Sequence, residues 1–461
     1  MGAIKTALHS YCWCSSSLSA CRRLPGERLF RAFTLLVLTI TMTSTVVGAF
    51  GITLTTSRRV STAFHTYGSR TTFRWVSSDS ATVLPEVLRG FTRSQGLSQS
   101  KWRLQSTRLS STASDSGNVG DKKRVVFLGT PEVAASSLQT IYQASLEPSS
   151  PFELVAVVTQ PPKRRKRKKK AEPSAVGKLA EELGVDILCP ESAKDDDFLT
   201  DLETRVKPDL CITAAYGQYL PKRFLALPQC GTVNIHPSLL PKWRGASPVQ
   251  RSLEAGENPV GVSVLFTVSK MDAGPIIAQK EQTIDENDTA ITVLPMLFEI
   301  GTELLLETLP DVLSGKITME KGVIPQDDAL ATKADMIAAS EAELKVWEES
   351  ATTCHNRLRG FANWPQTFMY VQVGGQPDPI KIKVLETRVV HDIVDAEPTD
   401  IISLGPTKKS GLYVTCGDGS VLELLIVQPA TRKAFPARDF QNGYPGETIR
   451  WVRPPVEEES D

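Results

Sequence analysis

The chain has 461 residues, 41% of them hydrophobic and 23% charged, a balance ordinary for a globular protein of two or three domains. Its formal net charge is zero, but residues 1–120 hold 14 Lys/Arg against four acids, so the remainder carries the opposite excess. Five of the eight cysteines (Cys189, Cys211, Cys230, Cys354 and Cys416) lie beyond residue 120 without C-x-x-C spacing, which excludes a disulfide framework or structural zinc site and fits a reducing compartment.

Residues 1–120 are rich in Ser, Thr and Arg and poor in acids, the composition of an organelle-targeting leader with no packed structure of its own. The apolar run Leu35–Phe50 follows Arg22, Arg23, Arg28 and Arg31. It is short for a membrane span, which needs about 20 residues, and it is diluted by threonine and serine. With a small-residue end at Gly48-Ala49 it reads as a signal-peptide core, and a transit-like segment starts at Phe50. This order is similar to the bipartite presequences of algae with secondary plastids. A mitochondrial presequence starting at Met42 is the alternative, so the expected destination is a plastid stroma or a mitochondrial matrix. No membrane span is expected in the mature form.

A first domain is expected over 122–317. Arg124–Gly129 is an apolar run closed by Gly-Thr-Pro and reads as a buried strand entering a turn. Strands at Phe152–Thr159, Asp209–Ala215 and Thr232–Ile235 alternate with helical stretches, among them Ala175–Leu183 ending at Gly184. That alternation predicts an α/β, Rossmann-like parallel sheet covered on both faces, with ligands at the carboxyl ends of its strands. Only Gly129-Thr130-Pro131 follows the first strand, so a dinucleotide site is not expected. Directly after the second strand come eight consecutive basic residues: Lys163, Arg164, Arg165, Lys166, Arg167, Lys168, Lys169 and Lys170. Two preceding prolines make this an exposed loop. Taken alone, such a run also suits nuclear import or a merely solvated segment.

The stretch Gly231–Gly245 reads G-T-V-N-I-H-P-S-L-L-P-K-W-R-G, and Asp272 follows in a Met-Asp-Ala-Gly turn. Asn234 and His236 are two apart on an extended strand and so share a face. An amide, an imidazole and a carboxylate are the groups that formyl transfer to an amine requires. At this stretch the sequence resembles the 10-formyltetrahydrofolate-dependent formyltransferases, and the resemblance runs from about Arg124 to about Arg453. It implies that an amine attacks an N-formyl carbon, and that His236 and Asn234 donate to the oxyanion, each such donor contributing about 3–4 kcal/mol. Asp272 would support the imidazolium and orient a proton-carrying water. The transfer would be direct, without a covalent enzyme intermediate and without a metal. Ser238, Leu239, Leu240 and Pro241 resemble the family's folate-contacting segment, and Tyr216 and Gly217, within Ala-Tyr-Gly, a second one. Trp243 and Arg244, within W-R-G, are typical of the members that act on tRNA. In those members a basic loop at the position of Lys163–Lys170 grips the acceptor stem. The implied acceptor is therefore initiator methionyl-tRNA, and the implied co-substrate 10-formyltetrahydrofolate.

The apolar spacing of Thr289–Leu313 predicts a core helix. Residues 318–337 are polar and turn-rich and read as a linker. A second domain is expected over 338–455, with a helical stretch containing Ile337, Leu344 and Trp347 at its start. Short strands at Thr367–Val373, Ile380–Thr387, Gly411–Thr415 and Val421–Gln428 suggest a small barrel, and the resemblance implies an OB-like, tRNA-binding one. From Ala338 to Asp461 there are 13 Lys/Arg and 18 Asp/Glu. RNA contact must then come from a local patch, with Arg357, Arg359, Arg432 and Lys433 as candidates. His355 is read as structural. Nothing in the sequence signals a strong subunit interface, and a monomer is expected. The rivals are a formyltransferase acting on a small amine, which needs neither the basic loop nor the second domain, and a catalytically dead RNA-binding scaffold.

Overall fold

Seven strands build the first sheet. They are β1 (Lys123–Gly129), β2 (Phe152–Val158), β3 (Asp186–Leu188), β4 (Leu210–Ala214), β5 (Thr232–His236), β7 (Val260–Phe266) and β8 (Ile276–Gln282), with a two-residue β6 (Arg244–Gly245) outside the sheet. The spatial order is β8-β7-β5-β4-β1-β2-β3. The five strands from β3 to β5 are parallel, as the alternation of strands and helices predicts. β7 and β8 extend the sheet antiparallel beyond β5. The structure is a computed structural model describing residues 42–47, 53–58, 122–164, 171–393, 396–397 and 399–453.

Every residue of β4 and β7 is buried, and Val125–Leu128 of β1 are fully so. This is the continuous apolar pattern of strands covered on both faces. α1 (Glu132–Leu146) and α6 (Ala290–Leu313) cover one face together with α2 (Ala175–Leu183), joined by a bond from Thr302 Oγ1 to Ser137 Oγ at 2.8 Å. α3 (Asp196–Asp201) and the short α4 (Lys222–Leu225) cover the other. Gly301 lets α6 approach closely: a Cβ there would lie 2.6 Å from side-chain atoms of both Ile235 and Val262. The helix thus presses on the two strands that carry and flank His236.

The second domain forms on α7 (Ala351–Phe361) and the strands β10 (Phe368–Val373), β11 (Ile380–Val390), β12 (Ile401–Leu404), β13 (Leu412–Thr415), β14 (Val421–Pro429) and β16 (Ile449–Val452), with the short β15 (Phe435–Pro436) and α8 (Ala437–Asn442). The order β11-β10-β16-β12-β13-β14 closes through β11–β14 pairing into a six-strand antiparallel barrel with its own apolar core. The small barrel is as expected. The helix expected around Ile337, Leu344 and Trp347 is not formed: a single 3-10 turn, Ala339–Ala342, stands there. Leu344 and Val346 alternate into the barrel core at strand spacing, and the Leu344 amide bonds the Phe368 carbonyl, so tertiary pairing overrides helical propensity.

α7 lies between the domains and corrects the expected RNA patch. Arg357 Nη1 bonds Glu349 at 2.6 Å and its Nε bonds Glu254, on α5 (Pro248–Glu254), at 3.3 Å. Arg359, 6% exposed, donates to the carbonyls of Asp288 and Asp285. Neither guanidinium is open to a phosphate. Arg432 and Lys433 remain exposed. His355 is structural as read: Nε2–H meets the Glu286 carbonyl at 3.1 Å, and Nδ1 accepts from Thr387 Oγ1 at 2.9 Å.

In the leader, the described residues form an antiparallel pair, Met42–Val47 with Thr53–Arg58. The pair belongs to a separate unit from residues 110–461. The other leader residues lie outside the described ones. No helix among the described residues is long and apolar enough to cross a membrane.

Candidate active site

β5 delivers Asn234 and His236 to the carboxyl edge of the sheet, one strand away from the switch in strand order between β1 and β4. Thr213 on β4 lies directly across from Asn234 in register. Its hydroxyl donates to Asn234 Oδ1 at 2.7 Å, which fixes the amide and leaves Nδ2 as the free donor. Thr213 escaped the sequence reading. The signal for it is a polar residue in the buried run Leu-Cys-Ile-Thr-Ala, whose meaning appears only once the register is known.

His236 is 4% exposed. Nε2 stands 3.0 Å from the Trp243 carbonyl, which can only accept, so this nitrogen carries a proton. Nδ1 faces Asp272 Oδ2 at 3.8 Å, too far for a direct hydrogen bond. That gap leaves room for the imidazole and the carboxylate to act on a third group. Asp272 Oδ2 also accepts from the Gly245 amide at 2.9 Å. The three residues expected to act together are thus gathered at one place.

Three non-glycine residues around this point have positive φ: Ala215 (46°), Trp243 (63°) and Asp272 (47°). Such conformations cost about 1–2 kcal/mol each and persist where the surroundings impose them. At Trp243 and Asp272 the imposing segment is the stretch expected to be only a linker. β6 pairs in parallel with β9 (Lys333–Ala334). The Trp243 amide bonds Thr332 Oγ1 at 2.8 Å, and the Arg244 amide bonds the Thr332 carbonyl at 2.9 Å. Gly245 is required here, because with φ 138° a Cβ would lie 2.5 Å from the Ala334 carbonyl oxygen.

Arg244, read from the sequence as an RNA contact, instead points into this strap. Its guanidinium bonds Gln326 Oε1 twice, at 2.9 and 2.7 Å, and Asp328 at 2.7 Å, and its side chain is only 9% exposed. Lys270 and then Arg244 hold the Asp328 carboxyl below the usual carboxylate range. Trp243 is half-buried. It lines a cavity of about 310 Å³ with Ser238, Leu239, Pro241, Gly261 and Leu330. Neither His236 nor Asp272 lines that cavity.

The expected folate residues divide. Ser238 Oγ donates to the Lys242 carbonyl at 2.9 Å, closing the turn. Leu240 is buried against Leu265 and Ile276, so its side chain is a structural anchor. Leu239 and Pro241 present apolar surface to the cavity. The Tyr216 ring is turned into the core beside Phe198 and Phe224, and burial pushes its phenol up. A ligand at this segment would meet the backbone and the exposed Gly217.

Lys163 and Arg164 are exposed, while Arg165 to Lys170 lie outside the described residues. Lys163 and Glu172 exchange backbone bonds of 3.1 Å and clasp the base of the basic loop. Gln160, just before it, donates to the Tyr216 carbonyl at 3.1 Å. The loop therefore leaves the fold at the same carboxyl edge as the site. Among the described residues no three His, Cys, Asp or Glu side chains converge in a way that could hold a metal ion.

Residues 123–309 match the family described as formyl transferase, and residues 337–445 match its C-terminal domain. The methionyl-tRNA formyltransferase of Bacillus licheniformis is 36% identical over 320 residues, covering 69% of this chain and 95% of that one. The Bacillus subtilis methionyl-tRNA formyltransferase is 34% identical, covering 69% and 94%. Among solved structures, a sugar 3N-formyl transferase in the presence of dTDP and 5-N-formyl-THF covers 68% of this chain and 100% of its own, with TM-score 0.48 and 16% identity.

Proposed function

This chain belongs to the methionyl-tRNA formyltransferase family, enzymes that transfer formyl to methionyl-tRNA, and from that premise we propose that Asn234, His236 and Asp272 perform the transfer from 10-formyltetrahydrofolate. The observation that carries this reading is the trio itself: an oriented amide, a buried imidazole and a carboxylate 3.8 Å from it. The α-amine of methionine attacks the formyl carbon and an oxyanion develops on the formyl oxygen. Asn234 Nδ2–H and a protonated His236 Nδ1–H donate to it, while Nε2–H stays on the Trp243 carbonyl. Asp272 takes the proton from the attacking amine, directly or through one water. The folate N10 gains that proton as the C–N10 bond breaks, so the formyl group has moved and every proton is accounted for. Ser238–Pro241 and Tyr216–Gly217 flank the folate. The Lys163–Lys170 loop takes the phosphates of the tRNA acceptor end.

The test is formylation of charged initiator tRNA by the full chain. His236→Ala and Asp272→Asn are expected to reduce kcat on the order of 10²–10³-fold. Wild-type rates in both would refute the catalytic assignment. Turnover of a small amine with none of tRNA would refute the acceptor. The acid-poor, Arg-rich leader supports an organellar enzyme, in a plastid by the order of its segments. Residues 1–120 fused to a fluorescent protein are expected to carry it into the organelle; a diffuse cytosolic signal would refute this.

A further inference from the structure

Gln326 lies in the strap between the domains. Its neighbours Pro325, Asp327 and Asp328 are exposed, but Gln326 is half-buried. Its amide is used at both ends. Oε1 accepts the two bonds from Arg244, and Nε2 donates to the carbonyls of Asp272 at 2.8 Å and Gly274 at 2.7 Å. The orientation is forced. A flipped amide would set its NH2 against a guanidinium and its oxygen against two carbonyl oxygens.

The partners of this amide are the two segments that define the site. Asp272 sits at φ 47°, and its carboxylate touches Gly245, the residue after Arg244. The turn holding Asp272 receives two bonds from Gln326, and the segment receiving the carboxylate gives two to the same side chain. Ile276 and Ile324 exchange backbone bonds of 2.8 Å, which seat the strap beside the turn.

We propose that Gln326 is a positioning residue for formyl transfer: its amide ties the Asp272 turn to the Arg244 segment and so sets the Asp272 carboxylate against His236. The inference rests on the reading of Asp272 as part of the catalytic trio. Both ends of the Gln326 amide are taken up by Arg244 and by the Asp272 and Gly274 carbonyls, so it acts through the turn it holds. The segment joining the domains is thereby part of the catalytic machinery, since the tie exists only while that strap is seated.

The experiment uses the full chain with charged initiator tRNA and 10-formyltetrahydrofolate, and compares Gln326→Leu with Gln326→Glu. Glutamate keeps an acceptor for Arg244 and loses both donors to the turn. Both variants are expected to lose on the order of 10–100-fold in kcat, with KM for each substrate within about twofold and the thermal midpoint close to the unsubstituted chain. Should the leucine variant fail to fold, the glutamate variant carries the test. Wild-type kcat in Gln326→Glu would overturn the proposal. So would a loss that tracks a lowered thermal midpoint, since that marks a purely structural role. Asp272→Asn in the same assay separates the two readings. If that variant keeps its rate, the catalytic trio is wrong. If it is inactive while Gln326→Glu is normal, only the positioning role falls.

Discussion

An asparagine amide can donate toward a developing oxyanion only while its own carbonyl is turned away, and at Asn234 that condition is set by Thr213. Thr213→Val keeps the shape of the side chain and removes the hydroxyl. The amide then loses the partner that orders it. The expected result is a fall in kcat of about tenfold, a fraction of the loss caused by removing an oxyanion donor outright. The stability cost should stay near 1 kcal/mol, the scale of one hydrogen bond. Single-turnover kinetics and a denaturant melt measure the two; an unchanged single-turnover rate would mean that Asn234 is oriented by something else. The proposed trio of Asn234, His236 and Asp272 could be picked out of the chain because a strand motif and a turn motif are local patterns. Thr213 and Gln326 could not. One acts through cross-strand register and the other through a segment 54 residues from the turn it holds, and neither relation leaves a spacing in the sequence.

At the scale of elements, long apolar runs declared themselves: β1, β2, β4, β5 and α6 all form within a residue or two of the ranges that the sequence predicts. Not every short strand did: β13 matches the predicted Gly411–Thr415, but β12 and β16, also four residues each, stood too close to turn residues to be picked out. α7 misled for a different reason. Its run of His, Arg and Arg looks like an exposed basic face, yet the helix is inserted between the domains and its charges are met by carboxylates and carbonyls from both sides. Arg357→Ala would leave Glu349 without its cation and Glu254 with Arg251 alone, in a site where the arginine side chain is 14% exposed. Breaking a pair this buried costs about 3–5 kcal/mol, visible as a lowered urea midpoint; a midpoint unchanged within error would show that the contact is not maintained. Gly360→Ala tests the same seam, because a Cβ would lie 2.6 Å from the Gln250 carbonyl oxygen on α5. Overpacking there is expected to cost about 1–3 kcal/mol. His355 adds a pH dependence. Burial first, against the opposing bond to the Glu286 carbonyl, lowers it from 6.5. The unfolded chain therefore takes up protons before the folded one. The contribution of His355 to stability is full above pH 6.5 and is lost as pH falls below it, by about 1.4 kcal/mol per unit of displacement. His355→Gln should flatten that acid-side loss in melts taken between pH 5 and pH 7 (about the span in which a histidine titrates).

For the whole molecule, the question is where a polyanion can be held by a chain whose net charge is zero. The barrel domain is acidic in sum, and two of the arginines that would have offset this are committed to the seam between the domains. Arg244 is committed to the strap. The longest run of cations in the chain is Lys163–Lys170, whose base is clasped at the carboxyl edge beside Tyr216. A charge run is the one feature of this scale that a sequence displays directly, whereas the internal pairing that removes other cations from play becomes visible only in the fold. If the run supplies most of the phosphate contacts, it should also supply most of the salt dependence. Each neutralised phosphate contributes about 0.7–0.9 to the slope of log K against log salt. Replacing the eight residues with Gly/Ser is expected to lower that slope by about 2 or more, and to weaken tRNA binding far more at low salt than at high salt. Catalytic turnover at saturating tRNA should be little changed, because Asn234, His236 and Asp272 are held by β5, Thr213 and the strap. Filter binding or fluorescence anisotropy across a salt series measures the slope. Parallel lines for the two proteins would mean that the phosphates are held elsewhere, with the exposed Arg432 and Lys433 of the barrel the first place to look.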